Sequence, residues 1–282
     1  MMTREEKNKG IVLEIKREEA IKTSKKILKV FGSILLLFSL FFLYMYFIGT
    51  KGLQTNEYVI QSDEIPESFH GVKILHFSDL LYGKTISKKE LDKLLEEIKK
   101  VNPNITIFTG NVVDSEYELQ ENDIKEINAF LKNIPYTIGK YAVKGNLDNT
   151  SFDLIFEDTN FIIMDNEILD IYHNTNEKIN LVGININEKT TINSSDSYTI
   201  ALIHNYDLYH EYNINANVVF AGHNLGGEIR FFNIPILGEN KYNNRYYEEN
   251  NSTIYISSGL GSISHLRLFN KPSINVYRLY SK

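Results

Sequence analysis

The sequence predicts an α/β fold behind one membrane-spanning helix, and three patterns predict it. Residues 72–143 alternate short apolar runs with amphipathic stretches in the order β-α-β-α-β. After residue 160 the apolar runs become short and closely spaced, as strands do. Ahead of both, residues 30–48 form a run of 19 residues without a charge. Strands alternating with helices pair in parallel through right-handed crossovers.

The uncharged run comes first. At 1.5 Å per residue its helix is about 28 Å long, close to the ~30 Å hydrocarbon core of a bilayer. Tyr44 and Tyr46 suit the headgroup interface. Lys22, Lys25, Lys26 and Lys29 flank its N-terminal side, against Lys51 on the other. The positive-inside rule therefore places residues 1–29 in the cytoplasm as a tail and the body outside the cell membrane. A cleaved signal peptide would have a shorter apolar core and small residues at a cleavage site. The chain instead continues GTKGLQTNEY, so a single-pass anchor is expected. Residues 1–29 read as a charged helix or a tail without order, 49–56 as a polar linker, and 57–282 as one domain.

In the body, 57–61 and 72–77 read as strands. Ser87 and Glu90 form a capping box, and Leu91, Leu94, Leu95 and Ile98 follow at helical spacing, predicting a helix over 88–100. A strand over 104–109, a helix over 122–133 and a strand over 140–143 complete the alternating region. Later strands are expected at 161–164, 168–172, 179–184, 198–203, 218–221, 253–257 and 274–279, with a short helix near 206–212. Residues 238–252 are polar and read as a mobile loop.

The chain has no cysteine, which excludes disulfides, thiolate ligands and a Cys nucleophile. Any metal must be held by His, Asp, Glu or Asn, donors that suit harder divalent cations. Residues 1–51 carry net +5 and residues 52–282 net −11. An acidic body lacks the Lys and Arg that phosphate contacts need, so no nucleic-acid partner is expected.

The strand ends carry the chemistry. They read Asp79-Leu80-Leu81, Gly110-Asn111, Gly145-Asn146-Leu147-Asp148, a lone His204, and Gly222-His223-Asn224-Leu225-Gly226-Gly227. In α/β sheets the ligand crevice lies beyond the carboxyl ends of strands, so these five loops should meet in one pocket. In this order the five motifs resemble those of the calcineurin-like metallophosphoesterases, and their membrane-anchored bacterial branch most closely. The resemblance covers about residues 55–282, through Ser257-Ser258-Gly259-Leu260-Gly261 and a closing strand over 267–279. It implies a four-layer α/β/β/α sandwich of two mixed sheets with helices outside. It also implies two divalent cations that generate a hydroxide for in-line attack on a phosphoester.

The same resemblance locates departures. The family's His at position 81 is Leu81, and the bridging Asp at 111 is Asn111. The His at 147, which protonates the leaving group or stabilises the transition state, is Leu147. The second His of the last motif is Leu225. The first metal position keeps only Asp79 and the amide of Asn111, too few ligands for a stable site. The second keeps Asn146, His204 and His223 beside Asn111, enough to hold one Zn, Mn or Ni ion weakly. Asn146 and Asn111 have an equally good reading as residues that tie turns. The expected function is a catalytically impaired, membrane-anchored binding module with no two-metal centre. The alternative is a residual single-metal phosphoesterase. Leu81, Leu147 and Leu225 would line one pocket, either collapsed into a plug or open to a protein or small-molecule ligand.

Overall fold

The computed structural model describes residues 4–186, 197–212, 215–232, 234–236 and 241–282. The chain divides into an N-terminal unit ending at Met45 and a body, Tyr46–Lys282.

The N-terminal unit is one helix, α1 (Arg4–Tyr44). Its charged first half is helical, the first of the two expected alternatives. Leu13–Gly49 is long and apolar enough to cross a membrane. A π-helical turn, Met45–Gly49, follows.

The body begins with β1 (Gln54–Ser62), β2 (Lys73–Phe77), α2 (Lys88–Val101) and β3 (Ile105–Phe108). It continues with α3 (Glu121–Lys132), β4 (Gly139–Ala142), α4 (Ser151–Phe156) and β5 (Phe161–Ile163). Then come β6 (Glu167–Tyr172), β7 (Lys178–Ile184), β8 (Thr199–Ile203), a 3-10 turn (Tyr206–Glu211) and β9 (Val218–Ala221). A small hairpin, β10 (Arg230–Phe231) and β11 (Ile234–Pro235), precedes β12 (Tyr246–Glu249), β13 (Ser252–Ile256) and β14 (Ser273–Ser281).

Two six-stranded mixed sheets result, ordered β1-β14-β2-β3-β4-β5 and β12-β13-β9-β8-β7-β6. β2 to β5 pair in parallel, as the alternating region predicts, and β14 enters antiparallel to β2. In the second sheet β7, β8, β9 and β13 are parallel, flanked by antiparallel β6 and β12. Side chains alternate between faces along a strand. Ile74, Ile107, Leu202 and Phe220 therefore fill the space between the sheets. Leu75, Phe77 and Phe108 pack on the other face against Leu94, Ile127 and Phe152 of α2, α3 and α4. Among the described residues, Tyr206 and Tyr209 of the 3-10 turn pack with Tyr242 on the outer face of the second sheet.

Four local expectations change. The linker over 49–56 is shorter, because β1 starts at Gln54. β12 forms within the stretch read as a loop over 238–252, of which 238–240 lie outside the described residues. α4 and the β10–β11 hairpin are additional. Arg267 precedes the closing strand, which starts at Ser273, instead of opening it.

A candidate site at the strand ends

Parallel strands of equal register end together, so the loops after β2, β3, β4, β8 and β9 meet. The structure brings Asp79, Asn111, Asn146, His204 and His223 into one cluster. Asp79 Oδ2 accepts from the Ser78 hydroxyl (2.6 Å) and the His223 backbone N–H (3.0 Å). Asp79 Oδ1 accepts from Asn111 Nδ2 at 3.0 Å. The other end of that amide is also fixed, because Asn111 Oδ1 accepts the Leu147 backbone N–H at 3.0 Å. Asn111 Nδ2 thereby lies 3.4 Å from Asn146 Oδ1 as well.

His204 is oriented by its Nδ1, which donates to the Thr109 carbonyl at 2.5 Å. That contact places the ring proton on Nδ1 and leaves Nε2 as a lone pair. Nε2 lies 3.0 Å from Asn146 Oδ1 and 4.0 Å from Asp79 Oδ1. The His223 ring centre is 5.2 Å from that of His204, and its Nδ1 is buried with no hydrogen-bond partner. Asp79, Asn111 and His204 are buried, whereas Asn146 is exposed and Leu147 and His223 are half-buried. The cluster therefore opens to solvent on the Asn146 side.

The backbone here is unusual. Asp79, Leu81, Asn111, His223 and Leu225 all have positive φ, between 44° and 62°. Asn and Asp tolerate this region, but a leucine in it costs on the order of 1–3 kcal/mol. The loops thus keep one conformation even where the side chain opposes it. Gly110 is needed for the same packing. A Cβ there would lie 2.5 Å from the Gly145 nitrogen and 2.9 Å from His204 Nδ1.

The three leucines do not share a cavity. Leu81 is buried against Gly261 and Leu225 against Gly259, where any side chain would overlap them. Leu81 and Leu225 are thus packed closed, which is neither of the two expected arrangements, since both placed Leu147 with them. Leu147 instead lines a separate cavity of about 80 Å³ with Val112, Tyr117 and Phe152.

Sequence reasoning missed several supports. Asp148, which closes the third motif, accepts the backbone N–H groups of Asn111 (2.7 Å), Val112 (2.8 Å) and Gly145 (2.8 Å), tying two loops together. Arg267 is fully buried, and its guanidinium donates to the carbonyls of Ser258, Gly261 and Asn270. Asn270 Nδ2 donates to Leu225 and Gly227 carbonyls, both at 2.7 Å. No local pattern signals these, because each acts on backbone of a distant segment.

Burial pushes the Asp79 carboxyl up to about 6, against the lowering effect of Ser78, His223 and Asn111. Burial likewise holds His204 and His223 below the usual imidazole range, and for His223 the neighbouring His204 adds to it. Both rings are therefore neutral at pH 7, the form that binds cations.

The residues do not fit a two-cation centre. At the first position Leu81 and Leu225 offer no lone pair, and Asn111 turns N–H groups toward Asp79. Among the described residues no group of three or more His, Cys, Asp or Glu side chains is placed to hold a metal ion.

Two mixed sheets in a sandwich, with strand-end loops gathering Asp, Asn and His, define the metallophosphoesterase class of fold. No family-level sequence model matches the chain. Curated relatives do. One is the "Uncharacterized metallophosphoesterase YkuE" of Bacillus subtilis, 24% identical over 257 residues, spanning 84% of this chain and 89% of that protein. Another is the "Uncharacterized metallophosphoesterase Cj0846" of Campylobacter jejuni, 26% identical over 279 residues, spanning 93% and 73%. A Danio rerio "Transmembrane protein with metallophosphoesterase domain" is 22% identical over 120 residues, 43% of this chain and 26% of that protein. Over most of its length the chain is similar to curated metallophosphoesterases, and this likeness supports the calcineurin-like metallophosphoesterase family.

Proposed function

We propose that this chain is a membrane-anchored pseudo-phosphoesterase, a metallophosphoesterase fold retained as a binding module. The Asn111 amide carries the reading. It donates at 3.0 Å to Asp79 and lies 3.4 Å from the Asn146 oxygen, so its N–H groups occupy the place between donors that a bridging carboxylate would share with cations. Leu147 in place of a proton donor accounts for a further loss of ~10²–10⁴-fold in rate. In this reading 1–29 is a cytoplasmic tail, 30–48 a single-pass anchor in the cell membrane and 57–282 an extracytoplasmic domain. A protein or small-molecule ligand would approach beside Leu147, where the cluster meets solvent.

One observation favours a second reading. His204 Nε2 lies 3.0 Å from the exposed Asn146 side-chain amide, and the His223 ring, whose Nδ1 is buried without a hydrogen-bond partner, stands 5.2 Å from the His204 ring. These three side chains could hold one weakly bound Zn, Mn or Ni ion and leave a residual hydrolase.

The test is hydrolysis of a generic aryl phosphodiester by full-length protein in detergent with added Mn²⁺. The pseudoenzyme reading expects no turnover above the metal blank. It also expects turnover to appear when Leu81→His, Asn111→Asp, Leu147→His and Leu225→His are combined. Wild-type turnover that His204→Ala abolishes would instead establish the single-metal enzyme.

A further inference from the structure

We propose that the β10–β11 hairpin and the 263–269 loop form an apolar platform that inserts into the outer leaflet. Phe231, Phe232, Ile234 and Ile236 project from the hairpin, with Phe232 and Ile234 each 70% exposed. Phe269 and Ile263 of the neighbouring loop are exposed too, and the Phe232 and Phe269 rings stack 5.9 Å apart at 6°. An apolar surface of this extent on an acidic body calls for an occupant.

The platform is rigid. Arg230 N–H donates to the Leu268 carbonyl (3.0 Å) and Leu268 N–H to the Glu228 carbonyl (3.1 Å). The Glu228 carboxylate accepts the N–H groups of Ile263 (2.9 Å) and Ser264 (3.1 Å). Phe232 and Phe269 hold positive φ, which an aromatic residue adopts only where its surroundings impose it.

The occupant follows from what the platform touches. Tyr46, Phe47 and Ile48 end the uncharged run yet belong to the body. The Tyr46 ring stacks on His265 of the platform loop at 4.5 Å and 10°. Exposed Phe47 and Ile48 thus extend the same apolar surface. Lys51 and Lys271 are also exposed and follow Ile48 and Phe269 by three and two residues, so lysines lie at the edge of this surface, together with the Glu90 carboxylate 4.0 Å from Lys51 and the Glu228 carboxylate of the platform itself. Aromatic side chains rimmed by lysines are the composition of an interfacial lipid contact. Tethering by the anchor means that even weak insertion is sustained.

The proposal rests on the reading of residues 30–48 as an anchor, and one experiment separates the two. The chain has no tryptophan, so each introduced one reports alone. Full-length Phe232→Trp, Phe38→Trp and Leu154→Trp are placed one copy per nanodisc, in phosphatidylcholine and phosphatidylglycerol with brominated acyl chains. Phe38→Trp, in the anchor, and Phe232→Trp should both lose most of their emission to bromine, while Leu154→Trp, exposed on α4, keeps it. Quenching of Phe38→Trp with Phe232→Trp no more quenched than Leu154→Trp overturns the platform and leaves the anchor. Unquenched Phe38→Trp overturns the anchor, and the platform with it. Blue-shifted but unquenched Phe232→Trp emission means that protein covers the surface, which also overturns a lipid occupant.

Discussion

Asn111 differs from a bridging carboxylate by one atom, and that atom changes what the cluster holds together. As an amide it presents donors to two oxygens that would otherwise repel each other or require a cation. An Asp at 111 would set a second carboxyl 3.0 Å from Asp79. Asn111→Asp should therefore lower the stability of chelator-treated protein by about 1–3 kcal/mol, since a buried acceptor loses its donor. The sign with pH follows from Asp79. Its folded value near 6 lies above its ordinary 3.8, so ionisation works against the fold as pH rises through that window. A second carboxyl steepens this loss, and Mn²⁺ should reverse it. Thermal unfolding at pH 5 and pH 8, with and without Mn²⁺, is the measurement. A variant as stable as wild type in chelator at pH 8 contradicts the account. At this scale the polar loop tips were legible, because Asp, Asn and His beside strand-ending glycines stand out. Ser78, Thr109 and Asp148 were not, because they act through hydrogen bonds that no spacing encodes.

Elements were legible where a period of two or 3.6 extends over several residues. α2 was readable from its capping box, confirmed as Glu90 accepting the Ser87 N–H at 3.3 Å, and from its leucine stripe. α4 was missed because six residues carry too little periodicity, and β10–β11 because each strand has only two. The Ser257–Gly261 segment was recognised as a motif, but not its dependence on Arg267. That side chain, fully buried, is the donor that three carbonyls of the 258–270 region share. Arg267→Met removes the donor and leaves them unpaired, a cost of about 3 kcal/mol or more. Because Gly259 and Gly261 seat Leu225 and Leu81, urea unfolding should show a clear fall in midpoint. An unchanged midpoint would mean that the loop does not lean on the guanidinium.

At the scale of the molecule, a charged first half of α1, an uncharged run and an acidic body appear in sequence as three compositions. The fold follows from the alternating region, and the second sheet from closely spaced apolar runs. The short helix near 206–212 was legible as well, and it is a 3-10 turn of tyrosines, Tyr206–Glu211. In the proposed reading Leu81 and Leu225, both in left-handed conformation, leave the site without the lone pairs that a second cation needs. That is the central claim, and metal stoichiometry tests it most directly. Full-length protein, dialysed against Mn²⁺, Zn²⁺ and Ni²⁺ in turn and washed, should retain at most one weakly held ion per chain by elemental analysis. Two tightly held ions per chain would contradict it.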